Sequence, residues 1–255
     1  MQLITRALSV LQALSARPDG MGVHDLHEQL EIPLGSIHRI LATLSDQGFV
    51  SRSPSNPRYF LGPATRRLAE QNLGTSGAAQ VLAPTIRTLA AQTGETVFVT
   101  EMQGSEALCI FLVDGTYPLR LFVRLGQTMP LNAAAAARVL LAHLNPDAAR
   151  ALLQSHSLQE FRDSTPNTVE QVVERLPRIR EQGYDIADDE LDAGIWAVAA
   201  PIFTSTGLAA ASVTLAGAAN RLKADAVRQS VVDSVVAAAD TMSRELGWVG
   251  GTPES

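Results

Sequence analysis

Apolar positions keep helical spacing through the first third of this chain and turn strand-like after Glu95. Behind Pro33, Ile37, Ile40, Leu41 and Leu44 recur at the i, i+3, i+4, i+7 spacing of one buried helix face. At about 100° per residue, Gly35, Arg39, Ala42 and Asp46 then point the opposite way, with Ser36, His38 and Thr43 on the flanks. Ahead of it, Thr5 is placed to cap a first helix that turns Ala7, Leu8, Val10, Leu11 and Leu14 inward and stops at Pro18-Asp19-Gly20. Val23 to Leu30 reads as a second helix, with Leu26 and Leu30 buried. Gly48 stands where a helix C-cap is wanted, and Phe49-Val50 can pair with Tyr59-Phe60-Leu61 around the Ser53 to Pro57 turn. Three short helices and a hairpin in about 60 residues make a winged helix-turn-helix plan.

Gly62-Pro63 closes this unit. Ala64 to Asn72 and Ser76 to Gln92 then read as linker helices, interrupted near Gly74. ETVFVTEMQ, ALCIFLVD and LRLFVRLG follow, β-rich and spaced like antiparallel strands. Asn132 is placed to cap a small-residue helix, Ala133 to Leu144, and two more helices fall near 147–154 and 168–182. A strand starts at Tyr184, and GIWAVAAPIF and LAAASVTLAG read as long strands joined at Thr204 to Gly207. A last helix covers about Lys223 to Leu246, and GGTPES is a frayed tail. The expected architecture is α+β: a winged helix-turn-helix over 1–62, linker helices over 63–93, a sensor-type α/β domain over 94–248 and a flexible tail over 249–255.

With 255 residues, 46% of them apolar, the chain can bury two cores. Its net charge is −6, but the first 75 residues carry +1 and the rest −7. Arg52, Arg58, Arg66 and Arg67 give the front third a modest cationic footprint, which a dimer would double. No apolar run approaches the roughly 20 residues of a membrane span. The first twenty residues lack a signal peptide's basic start and cleavage site, so a cytoplasmic protein is expected. Cys109 alone allows neither an internal disulfide nor a multi-Cys zinc site, and within ALCIFLV it reads as a buried strand thiol.

The outward side of the third helix is small and hydrogen-bonding with one guanidinium, the surface a helix needs to enter a DNA major groove. The alanine-rich helix start after Asn132 could offer backbone N–H groups to a carboxylate, or be a plain packed helix. Asp185, Asp188, Asp189, Glu190 and Asp192 read as a solvated turn, and His143 and His156 lack metal-ligand spacing, so no metal or cofactor is expected. Neither a nucleophile elbow nor a Walker or dinucleotide loop occurs, which argues against an enzyme. The alternative, a small-molecule-processing enzyme with an accessory winged domain, would need a pocket acid, base or nucleophile.

The ordered set Arg6-Ala7-Leu8, Ser36 to Leu44, Gly48-Phe49-Val50, Tyr59 to Pro63, Gly126 with Met129-Pro130-Leu131, Gly183-Tyr184, Glu190, Gly194 and Ala197 to Phe203 resembles the IclR-type bacterial transcriptional regulators over essentially the whole chain. The resemblance implies a winged helix-turn-helix dimer or tetramer on double-stranded operator DNA, with a GAF- or PAS-like domain for effector binding and oligomerisation. It implies DNA contacts at Arg6 of the first helix, at Ser36 and Arg39 of the third beside Gly35, His38 and Thr43, and at the wing residues Arg52 and Arg58. It places an effector pocket at Ala135, Ala136, Ala187, Ile195, Ala197, Thr214 and Ala216, next to Asn132. Relatives often carry polar residues where Ala187, Ala197 and Thr204 stand, and His where Asn132 stands. The pocket has thus lost polar groups, and the effector expected is a small, largely apolar or aromatic carboxylate acting on a repressor.

Overall fold

The two periodicities of the sequence become two units, residues 1–75 and 76–255. The structure, a computed structural model, describes residues 2–17, 19–53, 56–65, 77–117, 121 and 123–250.

In the first unit, α1 (Gln2–Ser15), α2 (Val23–Leu30) and α3 (Leu34–Asp46) precede the hairpin β1 (Val50–Arg52) and β2 (Tyr59–Leu61). Val10 and Leu14 of α1, Leu26 of α2 and Ile37, Ile40 and Leu41 of α3 meet in one core. The hairpin register sets Val50 against Leu61 and Arg52 against Tyr59, and Met21 bridges to Tyr59 from the α1–α2 turn. Gly48 ends α3 at φ 73°, a left-handed conformation glycine adopts without strain, and Phe49 N–H reaches back to Leu44 O at 2.8 Å.

Two expectations for α1 fail. Thr5 does not cap the helix, which already runs from Gln2. Leu8 faces outward, 55% exposed beside Leu3 and Ile4, because it lies about 200° around the helix from the buried Val10.

The second unit is built on a six-stranded antiparallel sheet in the order β5-β4-β3-β8-β7-β6. Its strands are β3 (Thr96–Gln103), β4 (Glu106–Val113), β5 (Thr128–Met129), β6 (Asp185–Asp188), β7 (Ile195–Phe203) and β8 (Ala209–Ala218). On one face lie α4 (Gly77–Thr93) and α8 (Asp225–Glu245); on the other lie α5 (Ala135–Ala142), α6 (Pro146–Gln154) and α7 (Val169–Gln182). Strand alternation sorts the residues. Trp196, Val198, Ala200 and Ile202 of β7 and Val213 and Leu215 of β8 pack toward α4 and α8. Ala197, Ala199 and Ala216 turn to the α5 side, so one core is bulky and the other is lined by small residues.

Local chemistry sets the helix ends. Asn145 Oδ1 accepts from Asp147 N–H at 2.9 Å to start α6, Thr168 and Gln171 form a reciprocal capping box on α7, and Gly183 closes α7 at φ 78°.

Residues 77–93 do not stand apart as a linker. Leu82, Ile86, Leu89 and Ala90 bury α4 in the second unit's bulky core; of the helix expected over 64–72, residues 64 and 65 are helical and 66–72 lie outside the described residues. Among the described residues of 119–126 there is no strand: Gly126 at φ 77° donates to Cys109 O at 2.7 Å, and pairing resumes only at Thr128. Asn132 is not a cap either. The helix begins at Ala135 behind Ala134, with no side chain over its start.

His143, at the end of α5, meets the Phe203 ring edge-on at 5.1 Å, and Phe203 stacks on Trp248. Burial lowers the His143 pKa from its usual 6.5; a hydrogen bond to Val139 O works against this, and the Arg180 charge adds to it. The folded chain therefore refuses a proton that the unfolded chain accepts, so this contribution to stability is intact above pH 6.5 and falls as the pH drops below it. His143→Phe is expected to lose less stability than the parent between pH 7.5 and 5.5, as read by urea unfolding at both values.

Candidate functional site

Two sites are built, one in each unit. On α3, Gly35, His38, Arg39 and Thr43 are exposed and Ser36 is half-buried. A Cβ on Gly35 would meet no atom within 4 Å, so packing within the unit does not require glycine there. Thr43 Oγ1 donates to Arg39 O at 3.0 Å, so this hydroxyl is turned back on its own helix. Arg52 is exposed on the wing, its guanidinium carbon 5.9 Å from the Tyr59 ring centroid.

Arg58 differs from the expectation of a wing residue free for phosphate. Its Nη1 donates to Gly20 O at 2.9 Å and Asp19 O at 3.3 Å, tying the wing to the α1–α2 turn that the Met21–Tyr59 bridge brings alongside. Arg6 lies half-buried on α1, the first helix.

In the second unit a cavity of about 40 Å³ lies between the sheet and the start of α5. Ala135 and Ala136 form its helix side, Ala187 and Ile195 one edge, and Ala197, Thr214 and Ala216 its floor. Phe98, Leu121, Val123, Met129 and Leu191 complete the apolar wall. Of the residues expected to meet here only Asn132 is missing. It opens onto a neighbouring cavity, and its Nδ2 donates to Gln159 O and Pro166 O, both at 2.8 Å. The amide is held by the loop and does not face the cavity.

Glu190 and Asp192 also border the cavity, and two further features supply polarity. The first-turn amides at Ala135 and Ala136 have no acceptor within α5, and no side chain caps the helix. The Thr214 hydroxyl is buried, lies on the cavity wall and has no hydrogen-bond partner among the described residues. A buried hydroxyl without a partner costs about 1–3 kcal/mol, which a ligand or water accepting from it would recover.

The acidic turn is only partly solvated: Asp188 and Asp189 keep nearly half of their side-chain surface, whereas Asp185 and Glu190 are buried. Arg138, fully buried in α5, places Nε 2.7 Å from Asp185 Oδ2 and Nη1 2.7 Å from Glu190 Oε2. The same guanidinium donates to Asn132 O at 2.6 Å and Ile186 O at 3.1 Å. Arg175 takes the other Glu190 oxygen at 2.8 Å, Arg228 pairs with Asp188 at 2.9 Å, and Arg162 approaches Asp189 at 3.8 Å. Thr165 Oγ1 also donates to Glu190 O. Arginines thus occupy these carboxylates. Sequence reasoning passed over Arg138, although a lone charge in an otherwise apolar helix is the signal of a buried ion pair.

The arrangement can bind but has little means to react. Thr214 has no base on it, and Glu190 is neutralised from two sides. Burial pushes the Cys109 thiol up to about 12, a backbone hydrogen bond at Phe111 working the other way, so almost no thiolate forms near neutrality. No helix among the described residues is long and apolar enough to cross a membrane.

Comparison with known proteins fits this geometry. The family described as bacterial transcriptional regulator IclR C-terminal matches residues 71–244, and the IclR helix-turn-helix domain matches residues 3–54. The HTH-type transcriptional regulator BhcR of Paracoccus denitrificans is 29% identical over 240 residues, 94% of this chain and 85% of that protein. The DNA-binding transcriptional repressor YiaJ of Escherichia coli is 26% identical, covering 97% of this chain and 88% of that protein. An IclR homolog of Microbacterium hydrocarbonoxydans, solved in complex with 4-hydroxybenzoate, shares the fold with a TM-score of 0.82 at 20% identity, over 96% of this chain and 99% of that one.

Removing the guanidinium of Arg138 would leave Asp185 and Glu190 buried without it. Arg138→Ala is expected to cost about 3–5 kcal/mol in urea unfolding. Arg150→Ala, which breaks an exposed pair with Glu170, is expected to cost at most about 1 kcal/mol.

Proposed function

The chain belongs to the IclR family of bacterial transcriptional regulators, and on that footing we propose that it is a repressor whose hold on its operator is controlled by a small, largely apolar or aromatic carboxylate. The observation that carries the effector class is the Thr214 hydroxyl, buried with no hydrogen-bond partner among the described residues on the wall of a largely apolar cavity beside the uncapped start of α5. An aromatic body would lie against the alanines. Its carboxylate would accept from Thr214 Oγ1 and from the first-turn amides, where the helix dipole favours an anion. The 4-hydroxybenzoate bound by the Microbacterium homolog has this chemistry, and the repressor named among the relatives supports the sign of regulation.

On DNA, Ser36 and Arg39 would reach base edges or phosphates from α3, with Gly35 letting the backbone approach and His38 beside them. Arg52 would contribute a salt-dependent, sequence-independent contact from the wing, and Arg6 one from α1. A homodimer or tetramer would place recognition helices in successive major grooves, about one helical turn apart or a multiple of it. Regulation requires the effector to prefer one arrangement of the DNA-binding units over another, a preference transmitted through residues 64–92.

Two substitutions test the halves separately. Arg39→Ala is expected to weaken binding to the operator upstream of the protein's own gene by about 1–3 kcal/mol while barely changing binding to random DNA, as read by gel shift. Equal losses on both would make Arg39 a phosphate anchor only. Ala135→Phe is expected to fill the cavity, abolishing the response to aryl carboxylates while operator binding survives. A response that persists in this variant would place the effector elsewhere.

A further inference from the structure

The effector cavity is too small for the effector. Its volume is about 40 Å³, whereas an apolar cavity that admits benzene measures about 150 Å³. Some part of its wall has to give way. Next to it lies a second cavity of about 260 Å³, bordered by the exposed Glu106, Thr128 and Gln159 and the half-buried His156 and Phe161. Met129 lines both.

The neighbouring parts of this partition are fixed. Asn132 is tied to Gln159 O and Pro166 O, and its own carbonyl accepts from Arg138. Ala133 and Ala134 have no side chain to move. Met129 is different. Its backbone is held in the two-residue strand β5, but its side chain makes no polar contact and turns about three flexible torsions. It is 2% exposed, and it stands where the linings of the two cavities meet.

We propose that Met129 is a movable partition, and that the effector is a two-part molecule occupying both cavities. This rests on reading the inner cavity as the effector site. The carboxylate and ring lie within, against Thr214 and the alanines. The far end replaces the Met129 side chain and enters the outer cavity, where Glu106, Gln159 and His156 offer hydrogen bonds. The chemical class is an elongated aryl acid with a neutral hydrogen-bonding group, such as a hydroxyl, at the end remote from the carboxylate.

Isothermal titration of the full-length chain with benzoate, cinnamate and 4-hydroxycinnamate tests this. The parent is expected to bind 4-hydroxycinnamate at least tenfold more tightly than benzoate and several-fold more tightly than cinnamate. M129A is expected to tighten 4-hydroxycinnamate about tenfold further, because the partition no longer has to move, and M129F to weaken it by a similar factor. M129V opens the passage with a smaller void and replaces M129A if circular dichroism shows the latter unfolded. Unchanged affinities in these variants, with Ala135→Phe still abolishing binding, would overturn the partition and leave the inner cavity as the effector site. Equal binding of cinnamate and 4-hydroxycinnamate would overturn the polar outer end. No binding of any of the three acids to the parent or to M129A would overturn both this inference and the reading beneath it.

Discussion

The guanidinium of Arg138 is the contact on which the second unit's architecture turns. A charge with no solvent exposure is tolerated only when its donors meet acceptors, and here two carboxylates and two carbonyls surround it. Its partners come from three separate segments of the chain. Asn132 precedes α5, Asp185 and Ile186 lie on β6, and Glu190 sits in the turn that leads to β7. One planar group therefore sets the separation of helix, strand edge and turn. Arg175 and Thr165 hold Glu190 from its other sides, so the turn is fixed from several directions at once.

The inner cavity lies on the α5 face of the sheet, and side-chain size explains it. Toward α4 and α8, Trp196, Val198, Ile202 and Leu215 fill the space between layers. Toward α5, the same strands present Ala197, Ala199, Thr214 and Ala216. The Ser212 hydroxyl donates to Ala136 O at 2.9 Å, which pins the helix against the sheet rather than letting it settle to close the gap. The void follows from short side chains facing a helix that cannot move inward.

Much of this could be read from the residues alone. The spacing of Ile37, Ile40 and Leu41 located α3 and its buried side, and the turn at Thr204 to Gly207 located the β7–β8 hairpin, because each rests on local chemistry. What escaped depends on long-range partners. Leu8 looked inward because an amphipathic stripe does not say how wide the buried arc is. Asn132 looked like a cap because nothing near it in the chain reveals Gln159 and Pro166, 27 and 34 residues away. Arg58 looked free for the same reason: its acceptors lie 38 and 39 residues back. The acidic turn looked solvated because its arginines come from α5, α7, α8 and the loop before α7. The alanines of the cavity were found through family resemblance, since an alanine carries no periodic signature of its own.

Those alanines carry a consequence for how such a receptor diversifies. A wall of methyl groups leaves recognition largely to the empty shape, so a change of side chain there alters that shape directly. Exchanging Ala187 or Ala197 for a serine, or Ala216 for a valine, would redraw the contour of the accepted molecule. The scaffold would be left intact. A gene copy could thus be retuned to a new metabolite in single steps, with the framework that answers to DNA untouched.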